Sequence, residues 1–337
     1  MNKARVKKYA ISTIKTVMIP LIIYIIFVIL TKGRMLSMRT VITTLKQSFY
    51  PTIICWGIIL CMSVGMMNFA AGGLILAATI IGGNLMKLTG TGFLGYVLFT
   101  LLIALILSAL TGLLYNKMRI PSIVLTIGLV LTFEALPRAL FSGGVMIPAR
   151  VTFLAQSPYC YVIILIMFIL FYVIYNKTVF GYNLRAIGSN QAIANSVGLD
   201  SDRIKFTCFM VTGIFLGVAA ILYGSIQGEI RNVTSLGSML IMMDAFMSMF
   251  LAFFLAKFCN LTIAVFVATF TMKLINIGFV AMGVQGTVRD ITTGLLLMIL
   301  LAVSANEGMF ERMKANRKYA EAARAKYKSR QEKTERG

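Results

Sequence analysis

The sequence contains no histidine, which removes the side chain that most often serves as a general base or a metal ligand. Acidic residues are also scarce, with 11 Asp and Glu among 337 residues. The five cysteines lie within or at the edges of apolar stretches without metal-ligand spacing, so neither zinc nor a disulfide scaffold is expected. No Gly-rich phosphate loop occurs. We therefore predict that the chain is not an enzyme, binds no metal or cofactor, and relies on another chain for any ATP hydrolysis.

Apolar residues, by contrast, are abundant. They make up 59% of the chain and charged residues only 13%, a composition that places the protein in a lipid bilayer. The formal net charge is +21, with the basic residues collected at the chain ends and between apolar runs. This distribution favours contact with anionic lipid and the positive-inside rule over nucleic acid.

The apolar runs predict an all-α, polytopic bundle of about ten transmembrane helices. The predicted spans are 14–31, 50–69, 72–87, 93–116, 121–141, 158–176, 206–227, 237–256, 260–281 and 287–304. Residues 1–305 would form the transmembrane domain and residues 306–337 a basic cytoplasmic tail. We expect the first span to be uncleaved, because Thr31-Lys32-Gly33-Arg34 follows it instead of a small-residue cleavage site.

An even number of spans places both termini on one side of the membrane, and their basic residues assign that side to the cytoplasm. The polar loop 177–206 then also lies in the cytoplasm. The basic segment 31–49 falls outside on this count. We expect it to lie along the headgroups as an amphipathic element, unless one span is miscounted.

A helix break is predicted where the second and third spans join, through VGMMNFAAGGLILAATIIGG. Asn68, Gly72 and Gly73 would interrupt one very long helix, and free backbone at membrane depth is tolerated only inside protein or beside water. Close packing of helices through small residues is an equally good explanation of the two glycines.

Charged residues within spans need a partner or water. Glu134 and Arg138 stand four residues apart, so a structural ion pair is favoured over a contact with substrate. Asp244 has no such neighbour in sequence, and it could hydrogen-bond a polar solute or another helix.

The polar segment GYNLRAIGSNQAIANSVGLDSDRIKF, residues 181–206, is long for a loop in a compact bundle, which indicates a function. Its scattered apolar residues and its glycines at 188 and 198 predict a short helix between two turns, with an apolar edge at the membrane surface.

Several motifs resemble the ribose/galactose-type ABC importer permeases. The cytoplasmic coupling motif of that family runs roughly G-x4-A-I-G-x-N-x3-A-x3-G, then D-R-V-K. It is matched here by Gly181, Ala186-Ile187-Gly188, Asn190, Ala194, Gly198 and Asp202-Arg203-Ile204-Lys205. Similar matches occur in MLSMRTVITTLKQS (35–48), MRIPSIVLTIGLVLTF (118–133), Asp244-Ala245 and LINIGFVAMGVQGTVRDITTGLLLMILLAV (274–303), so that the resemblance covers residues 20 to 305.

The resemblance implies a permease subunit in the cytoplasmic membrane of a prokaryote, paired with a like or related permease. ATPase subunits would carry the ATP and dock on the loop, and an extracytoplasmic binding protein would deliver a small polar solute, most simply a monosaccharide. The implied coupling residues are Gly181, Arg185, Gly188, Asn190, Ala194, Gly198, Asp202 and Arg203. The implied residues of the translocation pathway are Asn68, Phe69, Gly72, Gly73, Asp244 and Asn276.

Two departures from the family pattern keep alternatives open. Asn68 replaces the acid of the family's G-G-I-D-L-S-V-G break. The resulting Asn-Phe-Ala pattern is closer to the branched-chain amino-acid permeases. Branched-chain amino acids or nucleosides are therefore alternative solutes. The G-G-T-S-L-x-G-G connection after Asp244 is replaced by FLAFFLAKFCNL.

Two other classes of protein remain as alternatives. A secondary transporter or channel would need no coupling loop, and a membrane-embedded enzyme would need a nucleophile or metal set.

Overall fold

The computed structural model describes residues 20–141 and 144–286, together with Thr16, Met18, Val288, Ile291, Thr292, Gly294, Leu295, Met298 and Ala302. The chain divides into two compact units, Met1–Val284 and Gln285–Gly337. Most of the second unit, including the predicted span 287–304 and the basic tail 306–337, lies outside the described residues. The elements below belong to the first unit.

The described part of the first unit is mainly helical. Its helices are α1 (Pro20–Leu30), α2 (Met38–Met62), α3 (Ala71–Thr89), α4 (Gly92–Met118), α5 (Ser122–Leu140), α6 (Tyr159–Lys177), α7 (Val179–Ser189), α8 (Gln191–Ser196), α9 (Ser201–Gln227), α10 (Met239–Leu255) and α11 (Leu261–Ala281). A short antiparallel pair joins β1 (Val145–Met146) to β2 (Glu229–Ile230), with Val145 opposite Ile230.

Seven of these helices are long and apolar enough to cross a membrane, and α1 and α10 are shorter apolar helices. The prediction of an all-helical membrane protein is therefore confirmed. The bounds of α4, α5, α6 and α11 lie close to the predicted spans. Long unbroken apolar runs delimit these four helices, which is why sequence alone located them.

The centre of the bundle is formed by α2 and α3. In the most apolar 18-residue stretch of each of these helices 78% of the residues are buried, whereas in that of α6 only 22% are buried. Hydroxyl groups link the central helices. Ser108 Oγ on α4 donates to Phe209 O on α9 at 2.6 Å, and Thr212 Oγ1 on α9 donates to Gly57 O on α2 at 3.0 Å. Such bonds are a common means of joining helices where no hydrophobic force acts between them.

The expectation of a separate amphipathic element at 31–49 is wrong for its second half. Helix α2 begins at Met38 and continues to Met62 through Pro51. Proline removes a backbone N–H from the helix, yet α2 continues through it. Hydroxyls near the proline add side-chain bonds to backbone carbonyls of the same helix. Thr52 Oγ1 donates to Ser48 O at 2.7 Å and Ser48 Oγ donates to Leu45 O at 2.7 Å.

Candidate functional site

An irregular segment, residues 63–70, separates α2 from α3. Its backbone is held by hydroxyls from the first turns of α5. Met67 N donates to Ser122 Oγ at 3.1 Å, and Phe69 N donates to Thr126 Oγ1 at 3.2 Å. Non-helical backbone can therefore lie inside the bundle, because protein groups replace the missing helical hydrogen bonds.

Gly72 and Gly73 lie in the first turn of α3, after this irregular segment. A Cβ on Gly72 would fall 2.2 Å from Ser238 O, and one on Gly73 would fall 3.2 Å from Phe133 Cβ. Both glycines thus allow α3 to pack closely on its neighbours. These contacts agree with close packing, one of the two explanations weighed from sequence.

Asn68 and Phe69 occupy the end of the irregular segment. Asn68 is buried, and its Oδ1 receives no hydrogen bond from any described residue. Phe69 stacks on Phe246 of α10, with ring centroids 5.2 Å apart. A buried amide oxygen without a donor is costly unless water or a solute supplies one. Asn68 Oδ1 is therefore an acceptor without a donor among the described residues.

A second polar site, which we call the polar cluster, consists of Tyr50, Asp244, Lys273 and Asn276. The ammonium of Lys273 pairs with the Asp244 carboxylate, and it also donates to Tyr50 Oη at 3.2 Å. Asn276 Nδ2 donates to Asp244 Oδ1 at 3.3 Å. The cluster joins α2, α10 and α11 and neutralises a carboxylate that membrane depth would otherwise make costly.

The polar cluster is not sealed from its surroundings. The side chain of Lys273 is 12% exposed and that of Asp244 is 24% exposed. The sequence indicated Asp244 and Asn276, which the structure places in contact, but it did not indicate Lys273. The available signal was that Lys273 is the one charged residue of α11, LTIAVFVATFTMKLINIGFVA, and a lone charge in a span indicates a function by default.

The expected ion pair between Glu134 and Arg138 is wrong. Arg138 is exposed, whereas Glu134 is buried and faces the start of α10. Its carboxylate accepts from Leu236 N at 3.1 Å, from Ser238 N at 2.8 Å and from Ser238 Oγ at 2.6 Å. The unpaired N–H groups and the positive dipole end of a helix N-terminus favour a carboxylate there, so Glu134 bonds α10 instead of its own helix neighbour.

Replacing Glu134 with glutamine is expected to lower the thermal stability and the yield of folded protein. The amide would present N–H groups to backbone N–H donors, and hydrogen bonds to a charged group contribute about 1.5–3 kcal/mol. Thermal unfolding in detergent measures the effect. Arg138→Gln, on the same helix but exposed, is the control and should behave like the parent protein. Equal stability of the two variants would contradict this role of Glu134.

The coupling segment, residues 177–206, contains two short helices, α7 and α8, before α9 begins. Each of these three helices has a side chain that caps its N-terminus. Thr178 accepts from Gly181 N at 3.2 Å, Asn190 from Ile193 N at 3.1 Å, and Asp200 from Arg203 N at 3.1 Å. The predicted single helix between turns is in fact a pair of helices, because Asn190 ends one and caps the next.

The three glycines of the segment have different roles. Gly198 has φ of +90° and lies in the turn before α9, as predicted. Gly188 lies inside α7, so the prediction that it sets a turn is wrong. A Cβ there would fall 1.8 Å from Ser63 O, so Gly188 permits α7 to touch the end of α2. At Gly181, a Cβ would fall 2.4 Å from Tyr175 O.

The remaining predicted coupling residues are distributed over buried and exposed positions. Ala194 is buried, and Arg203 pairs with Asp200 at the surface at 2.8 Å. The Arg185 guanidinium lies 5.1 Å from the ring centroid of Tyr175 and 4.9 Å from that of Tyr182. Asp202 is exposed.

Helix α8 presents an exposed apolar edge. Ile193 is 63% exposed and Val197, directly after the helix, is 76% exposed. Four residues apart, they share one face. Their exposure on a well-capped helix is typical of a surface that another protein covers.

These features define a polytopic α-helical membrane protein with a structured hydrophilic segment between two spans. The family model described as branched-chain amino acid transport system / permease component matches residues 40–303. The chain therefore belongs to this permease family and is an integral membrane protein, and the resemblance drawn from the coupling motif is confirmed.

Curated relatives include autoinducer 2 import system permease proteins LsrC. The protein from Yersinia pestis (strain Pestoides F) is 29% identical over 157 residues, and the protein from Yersinia pseudotuberculosis serotype O:3 (strain YPIII) is 30% identical over 157 residues. Each match covers 44% of this chain and 44% of the relative. No solved structure matches the chain significantly.

Proposed function

We propose that the chain is the transmembrane permease subunit of an ATP-driven ABC importer for a small polar solute, most simply a monosaccharide. The observation that carries the proposal is the coupling segment: two capped helices with an exposed apolar edge at Ile193 and Val197, in a chain of this permease family. A docking surface of this kind suits a soluble ATPase that drives transport without any chemistry in the permease itself.

The contact between α7 and α2 supports a mechanical link to the pathway. Gly188 touches Ser63, the residue after α2, and the irregular segment that follows carries Asn68 and Phe69. A shift of α7 on ATP binding would thus act directly on the irregular segment. Alternating access follows if this movement changes the packing of Phe69 against α10 and opens the pathway to the other side.

The translocation pathway would be lined by Asn68, Phe69, Gly72, Gly73, Asp244 and Asn276, with the interruption between α2 and α3 serving as a broken helix. Lys273 and Tyr50 join this set through their contacts with Asp244. We place about ten spans in the chain by adding α1, α10 and the predicted span 287–304 to the seven long helices.

The complete assembly would contain two permeases, like or related, ATPase subunits that bind the ATP, and an extracytoplasmic solute-binding protein, in the cytoplasmic membrane of a prokaryote. Residues 1–305 would form the permease domain and residues 306–337 a cytoplasmic tail near anionic lipid. The low burial of α6 supports a partner or lipid on that face.

Reconstitution tests the proposal. The chain, the ABC ATPase that copurifies with it from its native membrane and the associated binding protein are placed in liposomes with ATP inside, and uptake of labelled monosaccharides is measured. ATP-dependent uptake is the expected result. Uptake driven by an ion gradient without ATP or a partner ATPase would instead identify a secondary transporter.

A branched-chain amino acid is a second candidate solute, favoured by the polar cluster. Lys273 and Asp244 carry opposite charges at partly exposed positions, which match the carboxylate and the ammonium of a free amino acid. Uptake of labelled leucine is compared with uptake of labelled ribose or galactose in the same liposomes to separate the two candidates. Unlabelled solute should compete with labelled solute only within its own class.

Asn68 and Thr126 are expected to respond differently to replacement. Asn68→Ala removes the amide whose oxygen has no donor among the described residues. If a solute supplies that donor, uptake should fall several-fold at normal protein abundance, as expected for the loss of a hydrogen bond worth roughly 0.5–1.5 kcal/mol. Thr126→Val removes the acceptor for Phe69 N and should mainly lower the amount of folded protein. Thr132→Val, an exposed position on the same helix, is the control. Normal uptake and abundance in Asn68→Ala would remove Asn68 from the pathway.

A further inference from the structure

A polar cavity of about 310 Å³ lies beside the coupling segment. It is formed by the C-terminal end of α4, the first residue of α8 and the first turn of α9. Its polar lining residues are Tyr115, Asn116, Arg119, Gln191, Asp202 and Lys205. Of these, only Asp202 belongs to the proposed coupling set, and none belongs to the pathway.

Two cations give the cavity a positive region. Lys205 is only 9% exposed, and its Nζ donates to the neutral amide oxygen of Gln191 at 3.1 Å. Arg119, which ends α4, is exposed. Within the described residues, neither cation has a carboxylate at ion-pair distance. The Lys205 Nζ also lies 5.7 Å from the ring centroid of Tyr115. A buried ammonium with one neutral hydrogen-bond acceptor and a guanidinium in the same lining are suited to bind a phosphate oxygen.

The cavity lining also contains hydrogen-bond acceptors. Asn116 Nδ2 donates to Asp202 O at 2.8 Å, which orients the amide. Its buried Oδ1 then receives no hydrogen bond from the described residues. Asp202 belongs to the same lining and is exposed. An accessible carboxylate suits a primary ammonium, which is charged and has three N–H donors.

The surroundings of the cavity point to a lipid as the source of these two groups. Ile120 completes the lining, and the adjoining turns of α4 and α5 expose Leu113 at 57%, Met118 at 52% and Val124 at 62%. Acyl chains would cover this apolar surface, whereas a soluble ion would leave it bare. The position next to the predicted cytoplasmic coupling segment corresponds to the headgroup layer of the inner leaflet.

We propose that this cavity binds the headgroup of an aminophospholipid of the phosphatidylethanolamine type. The phosphate contacts Arg119 and Lys205, and the ammonium contacts the carboxylate of Asp202. Because Gln191 and Asp202 belong to the coupling segment, the bound lipid joins that segment to the α4–α5 connection.

Lipid binding by the purified, delipidated full chain tests the proposal. Phosphatidylethanolamine, phosphatidylcholine and phosphatidylglycerol with identical acyl chains are compared by native mass spectrometry and by the shift in thermal unfolding. Phosphatidylethanolamine should bind about tenfold more tightly than phosphatidylcholine, which has no N–H donor, a factor that corresponds to about 1.4 kcal/mol. Equal binding of all three lipids would overturn the proposal.

Variants and soluble probes separate the remaining explanations. Arg119→Gln and Lys205→Met should each reduce phosphatidylethanolamine binding several-fold, while Lys117→Gln, an exposed basic residue outside the lining, should not. Arg119 is exposed, so its replacement tests the site without a risk to folding. Equally tight binding of soluble phosphoethanolamine or inorganic phosphate would show an ion site instead of a lipid site. If Arg119→Gln and Lys205→Met bind the lipid normally but no longer copurify with the ATPase, the cavity binds a side chain of that partner instead of a lipid.

Discussion

Replacing Lys273 with methionine is expected to reduce both the amount of folded protein and the solute uptake. The substitution leaves the Asp244 carboxylate half-buried without its cation, and breaking a buried ion pair costs about 3–5 kcal/mol. Thermal unfolding in detergent and uptake per amount of folded protein measure the two effects. Lys87→Met, at an exposed position in the last turn of α3, is the matched control and should leave both unchanged.

The double variant Lys273→Met/Asp244→Leu separates a structural role from a role in transport. Apolar replacement of a whole buried pair is often neutral for stability or better, so folded protein should return to the parent level. If the polar cluster contacts the solute, uptake remains lost. Recovered uptake would show that the pair only joins α2, α10 and α11. Normal stability and normal uptake in Lys273→Met alone would contradict both the structural role and the transport role of Lys273.

Replacing Ile193 and Val197 together with aspartate is expected to abolish association with the ATPase and hence ATP-driven uptake. Both side chains are largely exposed, so the permease itself should fold normally. Buried apolar anchors of an interface contribute about 2 kcal/mol or more each, and two carboxylates in a covered surface would add a desolvation cost. Copurification of the ATPase with the tagged permease measures the outcome.

Ala192→Asp adds one carboxylate, half the charge of the paired substitution, to another face of the same helix and serves as the control. Ala192 is exposed and lies in the first turn of α8, where a carboxylate is favourable for the helix. The copurifying ATPase should be retained in this variant. If Ala192→Asp is as damaging as the paired substitution, added charge and not the loss of the apolar edge explains the result.

The sequence correctly located most of the long helices that the structure describes and the helical segment 177–206, because both depend on local properties. A run of about 20 apolar residues is sufficient to cross a bilayer, and the coupling motif is carried by residues at fixed spacing within one segment. The helix caps at Asn190 and Asp200 are local in the same sense, since each side chain bonds the backbone three residues ahead.

The errors arose where residues distant in sequence compete for the same group. Glu134 stands four residues from Arg138, yet it accepts hydrogen bonds from Leu236 and Ser238, because a helix N-terminus packed against it offers more donors. Gly188 resembles a turn residue, but it is required by the approach of Ser63. Helix α2 runs from Met38 through Pro51 to Met62, so the proline does not end the helix.

By itself, the sequence determined that this protein is an α-helical membrane permease with a structured segment between two spans, since hydropathy, charge distribution and motif spacing are properties of the linear chain. Only the tertiary structure decided which polar groups meet. Tyr50, Asp244 and Lys273 come from three different helices, and the rotation and depth of each helix depend on packing against its neighbours, which no local pattern encodes.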